Sequence, residues 1–230
     1  MIRLGVTGTD TGVGKTVVSV ALLTLMGRRG IRAAAMKPIE TGVTARGPDD
    51  AGLLARAAGV KRPLEDVNPF RYADPLAPRM AAERAGTPVD MRALDAAFER
   101  VTRDADAVVV EGAGGLLVPI APRLSYADLF LRWGLDLVIV AANRLGAINH
   151  VLLTLEAAAH SGLRVRGIVL NAVTPARDLA TETNPEALRA LAPGVPLLLF
   201  PWTERTGDIE HLGATAHASG LDALILQYGD

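Results

Sequence analysis

Short apolar runs alternate along this chain with longer stretches in which apolar residues recur every three or four positions. Residues 2–7 form the first short run and predict a strand. Residues 15–29 predict a helix, entered through glycines and closed at Gly30. A second strand is expected over 31–36, ended by Lys37-Pro38, and the polar, glycine-rich stretch 40–48 reads as a mobile loop. Helices are predicted over 49–58, 79–85 and 90–103, with the proline-containing segment 60–78 irregular between the first two. A strand over 107–110 runs into Glu111-Gly112-Ala113-Gly114-Gly115. The pattern then gives a helix at 125–133, a strand at 136–141, a helix at 147–161, a strand at 165–170, a helix at 185–191 and a strand at 196–200. Beyond that the chain alternates only weakly. Apolar strands alternating with amphipathic helices imply a mainly parallel sheet covered by helices on both faces.

Composition narrows the class. At 230 residues the chain suits one α/β domain, and no internal repeat or linker divides 1–230. Its formal net charge is −1 and no block of like charge tracks a phosphate backbone, so nucleic acid is not an expected partner. There is no cysteine, which excludes thiolate nucleophiles and thiolate metal sites. The longest apolar run, 17–26, is too short to span a bilayer, and the opening residues lack the character of a signal peptide. A cytoplasmic enzyme without membrane partners is the expectation. Of the 24 basic residues only Lys15, Lys37 and Lys61 are lysine. Arginine suits planar ion pairs, so lysine in such a chain marks places that need a compact ammonium.

Two of the three lysines stand in motifs. Gly8-Thr9-Asp10-Thr11-Gly12-Val13-Gly14-Lys15-Thr16 leaves the first strand and opens the first helix. Five residues separate Gly8 from Gly14, one more than in the standard phosphate loop, whose first glycine would fall at Thr9. The physics of the loop is unchanged: backbone N–H groups and a helix N-terminus favour phosphate, and glycine lets the backbone come close. Lys15 would bridge the β- and γ-phosphates of ATP, and the Thr16 hydroxyl would ligate Mg²⁺. The loop predicts an α/β, P-loop NTPase-like three-layer fold.

The string from Val6 to Thr16 is similar to the loop of dethiobiotin synthetases. Four further segments agree with that family in order and type: Lys37-Pro38-Ile39-Glu40-Thr41-Gly42, Val110 to Gly115, Leu145-Gly146-Ala147-Ile148-Asn149-His150, and Asn171-Ala172-Val173-Thr174-Pro175. Pro201-Trp202 also fits, so the resemblance runs from residue 2 to about 205. It implies an ATP-dependent cyclo-ligase that carboxylates 7,8-diaminononanoate with CO₂ and closes the ureido ring through a carbamic–phosphoric anhydride. It also implies a Mg²⁺-dependent homodimer with the diamine bound near the subunit interface.

The resemblance and the chemistry together assign roles. Lys37, Lys15 and Thr41 are the expected catalytic residues, the lysines shielding charge between two anions. Gly12, Val13, Gly14, Lys15, Thr16, Val17, Asn171 and Pro201 are expected around the nucleotide, with Asn171 and Pro175 bordering the adenine. Thr16, Asp50 and Glu111 match the family's metal positions, Asp50 being preferred to Asp49 because Asp-Ala follows the family pattern. Either carboxylate could instead cap a helix, and Asn171 could instead satisfy a turn. Thr11, Thr41, Gly114, Gly146, Ala147, Ile148 and Asn149 are the expected substrate contacts, the last four opening a helix whose free N–H groups suit a carboxylate. The chain departs from some members by carrying Gly12 in place of an acidic residue, and no aromatic residue over 176–184. Two other P-loop readings fit less well. A related amidoligase would add a glutamine-hydrolysing domain with a cysteine, and a partitioning ATPase switch would carry a lysine where Thr9, Asp10 and Thr11 stand.

Overall fold

In the central strands, successive side chains enter two different cores. Leu4, Val6, Val109, Val138, Val140 and Val169 belong to one apolar cluster, whereas Val108, Val110, Leu137, Ile139, Ile168 and Leu170 belong to the other. This period-two division makes a sheet buried on both faces. The computed structural model describes residues 1–45 and 49–226. Its elements are, in order, β1 (Ile2–Gly8), α1 (Lys15–Arg28), β2 (Ala33–Met36), β3 (Ile39–Thr41), α2 (Asp49–Ala57), α3 (Leu64–Val67), β4 (Phe70–Tyr72), α4 (Pro78–Ala85), α5 (Met91–Thr102), β5 (Ala107–Gly115), β6 (Pro119–Ala121), β7 (Leu124–Ser125), α6 (Tyr126–Arg132), β8 (Asp136–Ala142), α7 (Ala147–His160), β9 (Val165–Asn171), α8 (Leu179–Leu191), β10 (Leu197–Phe200), α9 (Ile209–Ala218) and α10 (Ala223–Leu226).

The main sheet has the order β10-β9-β8-β1-β5-β2, and every pairing in it is parallel. Helices α1, α2, α9 and α10 cover one face, while α4 to α8 cover the other. The chain passes from β1 over β5 to β2, and later from β5 over β1 to β8. The direction of winding therefore reverses beside β1, the place where open α/β sheets bind ligands beyond their strand ends. The apolar run of α1 is explained by its position: Val18 to Met26 are all buried between the sheet and α9, as a helix apolar on all sides must be.

Four expectations need correction. Glu40 and Thr41, at the start of the expected loop, join Ile39 in β3, which pairs with β4, and Gly42 and Val43 continue the contact through bonds to Asp74 and Tyr72. Residues 46–48 of that loop lie outside the described residues. The segment 60–78 is not irregular throughout, since it contains α3 and β4. Strand β5 continues past Val110 to Gly115, because Gly8 of β1 pairs with Gly115 after a register shift. Helix α8 begins at Leu179, not at 185, behind a reciprocal cap between Asp178 and Thr181. Pro185 therefore lies inside the helix, where it has no N–H to offer Thr181 O. That carbonyl instead accepts from Asn143 Nδ2 at 2.9 Å.

The weakly patterned end folds as α9, capped by Asp208 on His211 N, and packs on α1 through Gly213. A Cβ at Gly213 would come within 2.4 Å of Thr24 Cγ2. Gly213→Ala should therefore destabilise the protein by about 1–3 kcal/mol, lowering the melting temperature by roughly 2–4 °C per kcal/mol. Thermal unfolding of the variant checks this.

Candidate active site

Strand register brings the chemistry together. Met36 of β2 pairs with Val110 of β5, so the next residues, Lys37 and Glu111, stand side by side, and Val6 of β1 flanks Glu111 from the other side. Pro38 ends β2 at that point. The backbone of Lys37 is fixed on both sides: its N–H donates to Val67 O at 2.8 Å, and its carbonyl accepts from the buried Asn68 Nδ2 at 2.6 Å. Asn68 is a supporting residue that the sequence reading missed, as it sits in the segment read as irregular.

The phosphate loop follows β1. Gly14, at φ 92°, is the left-handed residue that starts α1, and a Cβ there would strike Asn171 Nδ2 at 2.0 Å. Asn171 Nδ2 donates to Val13 O at 2.9 Å, tying the end of β9 to the loop. Gly8 is required for a different reason: a Cβ would lie 2.6 Å from Asp10 O and 3.0 Å from Lys15 Nζ. The loop doubles back over Gly8, which accounts for the glycine standing one position earlier than in the standard motif. Lys15 Nζ donates to Asp10 O at 3.1 Å, inside the ring the loop forms.

Four polar groups form the centre. Lys37 Nζ donates to Glu111 Oε1 at 2.5 Å and to Asp50 Oδ2 at 2.9 Å. The Thr16 hydroxyl lies 2.9 Å from Asp50 Oδ1 and 3.0 Å from Glu111 Oε1, and its single proton serves one or the other. Lys37 and Glu111 are 3% and 0% exposed, so neither could be buried without the other. Burial pushes the Lys37 ammonium down, but the carboxylates of Glu111 and Asp50 outweigh it and hold its pKa well above the ordinary lysine value. Lys15 shifts the other way, lowered by burial and then by the charge of Lys37. The Asp50 carboxyl is held below its usual range: burial raises it, and Lys37 with Thr16 lowers it further.

Asp50 is presented by a second missed residue. Glu40 accepts from Asp50 N at 3.1 Å and Ala51 N at 3.0 Å, satisfying orphan amides at the start of α2 from ten residues away. Burial raises its pKa. Glu40→Ala should cost about 1 kcal/mol of stability, the usual loss for a helix cap. Thermal unfolding of the variant checks this.

A cavity of about 490 Å³ opens over these groups. Thr11, Gly12, Gly14, Lys15, Thr16, Val17, Lys37, Thr41, Asp50, Glu111 and Gly114 line it, as do Glu40, Leu53, Ala113 and Thr206. Thr206 comes from the weakly patterned end of the chain, which gave no signal for it. Val13 is buried in the core, and its carbonyl faces Asn171. Pro201 and Pro175 line a second cavity of about 500 Å³ together with Trp202. Gly146, Ala147, Ile148 and Asn149 open α7 but do not line the first cavity. Their loop reaches the phosphate loop through Arg144, whose Nη2 is 3.4 Å from Asp10 Oδ2.

The oxygens at the centre suit a small, hard cation. Among the described residues no group of three or more His, Cys, Asp or Glu forms a metal cage. Two carboxylates and a hydroxyl converge instead, and Glu111 Oε2 is buried without a hydrogen-bond partner among the described residues. One or two carboxylates with phosphate oxygens and water is the way Mg²⁺ is bound in nucleotide sites.

Known proteins resemble most of the chain. Residues 3–214 match the family model described as an AAA domain. The ATP-dependent dethiobiotin synthetase BioD of Anaeromyxobacter dehalogenans (strain 2CP-C) is 46% identical over 203 residues, which is 88% of this chain and 91% of the relative. The protein of the same name from Anaeromyxobacter sp. (strain Fw109-5) is 41% identical over 197 residues, covering 86% and 88%. Among solved structures, a nucleotide-binding protein in complex with ADP from Archaeoglobus fulgidus shares the fold, with a TM-score of 0.54 at 15% identity, covering 94% of this chain and 88% of that one. With the lengthened phosphate loop, the paired lysines and 41–46% identity to these relatives over most of its length, the chain belongs to the ATP-dependent dethiobiotin synthetases, within the AAA-domain family.

Proposed function

We propose that the 490 Å³ cavity is where ATP, CO₂ and 7,8-diaminononanoate are converted to dethiobiotin, ADP and phosphate. The observation that carries this reading is the buried Lys37 cation beside Lys15 at the mouth of a phosphate loop. One amine of the diamine adds to CO₂ and loses a proton, giving a carbamate. A carbamate oxygen attacks the γ-phosphorus and ADP leaves. The second amine then attacks the carbonyl carbon, expels phosphate and closes the ureido ring.

The phosphoryl-transfer step brings two anions together, the carbamate and the γ-phosphate, and the chain's own groups suit that task. The loop amides of Gly12 to Thr16 and the Lys15 ammonium would hold the β- and γ-phosphates. The Lys37 ammonium would lie between the carbamate and the γ-phosphate and offset their repulsion. Thr41 and Gly114 border the same space and would position the diamine. Thr16, Asp50 and Glu111 would hold Mg²⁺, which when bound supplies neutralising charge on the phosphate oxygens. Asn171, fixed by Val13, has its Oδ1 left to accept from the adenine edge, and Pro201 would flank the base.

The working unit in this reading is a homodimer. Leu145 is 85% exposed, and Leu153 and Leu179 are also exposed on the adjacent α7 and α8. A second copy covering that surface would bring the first turn of α7, Gly146 to Asn149, to the diamine's carboxylate. Among the described residues no helix is long and apolar enough to cross a membrane, which supports the cytoplasmic setting. Purified protein given the diamine, bicarbonate and MgATP should release dethiobiotin and ADP in equal amounts. ADP release that ignores the diamine and responds to DNA or lipid would reject the proposal.

A further inference from the structure

Lys37 is engaged in a way that a lysine serving only the reaction would not need. Its ammonium donates to two carboxylates, Glu111 at 2.5 Å and Asp50 at 2.9 Å, and its side chain is 4% exposed. The Thr16 hydroxyl closes on the same two carboxylates. Lys15 contributes charge from nearby, but its Nζ is bonded to Asp10 O and not to either acid. Two carboxylates this close repel each other, and one of them is completely buried. Something positive must sit on them at all times, and here it is Lys37.

We propose that Lys37 is the resident counter-ion of the divalent-cation site: its ammonium holds Asp50 and Glu111 together in the absence of metal, and moves off them into the cavity when a divalent cation takes their oxygens. The inference rests on the reading of Thr16, Asp50 and Glu111 as the metal ligands. The backbone of Lys37 is pinned by Val67 and Asn68, so the flexible four-carbon stem has to carry the motion. Metal loading and presentation of the Lys37 charge to the reacting groups are then one event. The protein without metal keeps its carbamate-facing cation parked.

Exchange of one cation for another means that Lys37 competes with the metal. Calorimetric titration of the nucleotide-free protein with Mg²⁺ or Mn²⁺ alone tests this. Lys37→Met should bind the metal roughly tenfold or more tightly than wild type, because the competing charge in direct contact is gone. Lys15→Met loses the same unit of charge without touching the acids and should change affinity by no more than about threefold. No gain in Lys37→Met, or an equal gain in both variants, would overturn the exchange. Asp50→Asn should lose binding whatever Lys37 does; binding kept there would overturn the ligand assignment itself.

A second measurement needs no variant. The chain has only three lysines, so reductive methylation of wild type can be followed at each by peptide mass spectrometry. Lys37 should react slowly in metal-free protein and several times faster with Mg²⁺, while exposed Lys61 stays constant. Unchanged or slower labelling of Lys37 with Mg²⁺ would contradict the proposal.

Discussion

Lys37→Ala should nearly abolish turnover while leaving nucleotide binding close to that of wild type. The phosphate loop, Lys15 and the base-flanking residues are untouched by the change, so the equilibrium affinity for ATP has little reason to fall. In the proposed mechanism what is lost is the cation between two anionic partners, an interaction needed most as the carbamate oxygen reaches phosphorus. Removing one such stabilising group typically lowers kcat by about 10²- to 10³-fold. Stability should suffer as well, since Glu111 is fully buried and Asp50 faces it across Thr16. Breaking a buried ion pair from one side costs about 3–5 kcal/mol. Steady-state rates beside a direct nucleotide-binding measurement separate the two effects. Normal turnover would remove Lys37 from the mechanism.

Glu111→Gln should be as damaging by another route. The amide removes the charge that pairs with Lys37 and, in the proposed site, one of the two carboxylates that would hold Mg²⁺. The metal requirement should rise steeply and kcat/KM should fall by about 10²- to 10³-fold. The melting temperature should drop because the Lys37 ammonium, still buried, loses its shortest partner. The double variant Lys37→Met, Glu111→Gln gives a sharper prediction. With both charges gone, no ion is left buried against an amide or a methyl group, so the pair should be more stable than either single variant. It should remain inactive. Simple additivity of the two stability losses would show that the groups are not coupled as their 2.5 Å contact requires.

How much of this was legible in the sequence differs from element to element. The alternation of strands and helices was readable because a period of two and a period of 3.6 leave different traces, and the parallel three-layer fold followed. Strand β5 looked shorter than it is because its last residues, Gly112 to Gly115, have low strand propensity and are held by pairing with β1. Pro185 looked like the first residue of a helix, where proline is favoured, yet the cap lies at Asp178 and Thr181. The Asp-x-x-Thr spacing at that cap was a signal that could have been used. Helix α9 was obscured because Gly213, required by its close approach to Thr24, interrupts its apolar pattern.

The site was legible as a set of motifs and not as an arrangement. Lys15 and Thr16 are read directly from the phosphate loop. The contact between Lys37 and Glu111, 74 residues apart, depends on β2 pairing with β5 in one register, which no local pattern specifies. Glu40 was seen only as part of a motif; its cap on α2 exists because the chain returns to it after residues 46–48. Asn68 supports Lys37 from a segment whose prolines suggested no structure. Tertiary partners chosen by the fold carry no mark in the sequence beyond their polarity.

In the proposed mechanism a carbamate oxygen meets the γ-phosphate in the cavity above Lys15 and Lys37. Turnover with ¹⁸O-labelled CO₂, quenched before label exchanges with water, follows that oxygen. Because that oxygen bridges carbon and phosphorus before the ring closes, the released phosphate should contain one ¹⁸O atom derived from CO₂. Unlabelled phosphate alongside dethiobiotin would contradict the account.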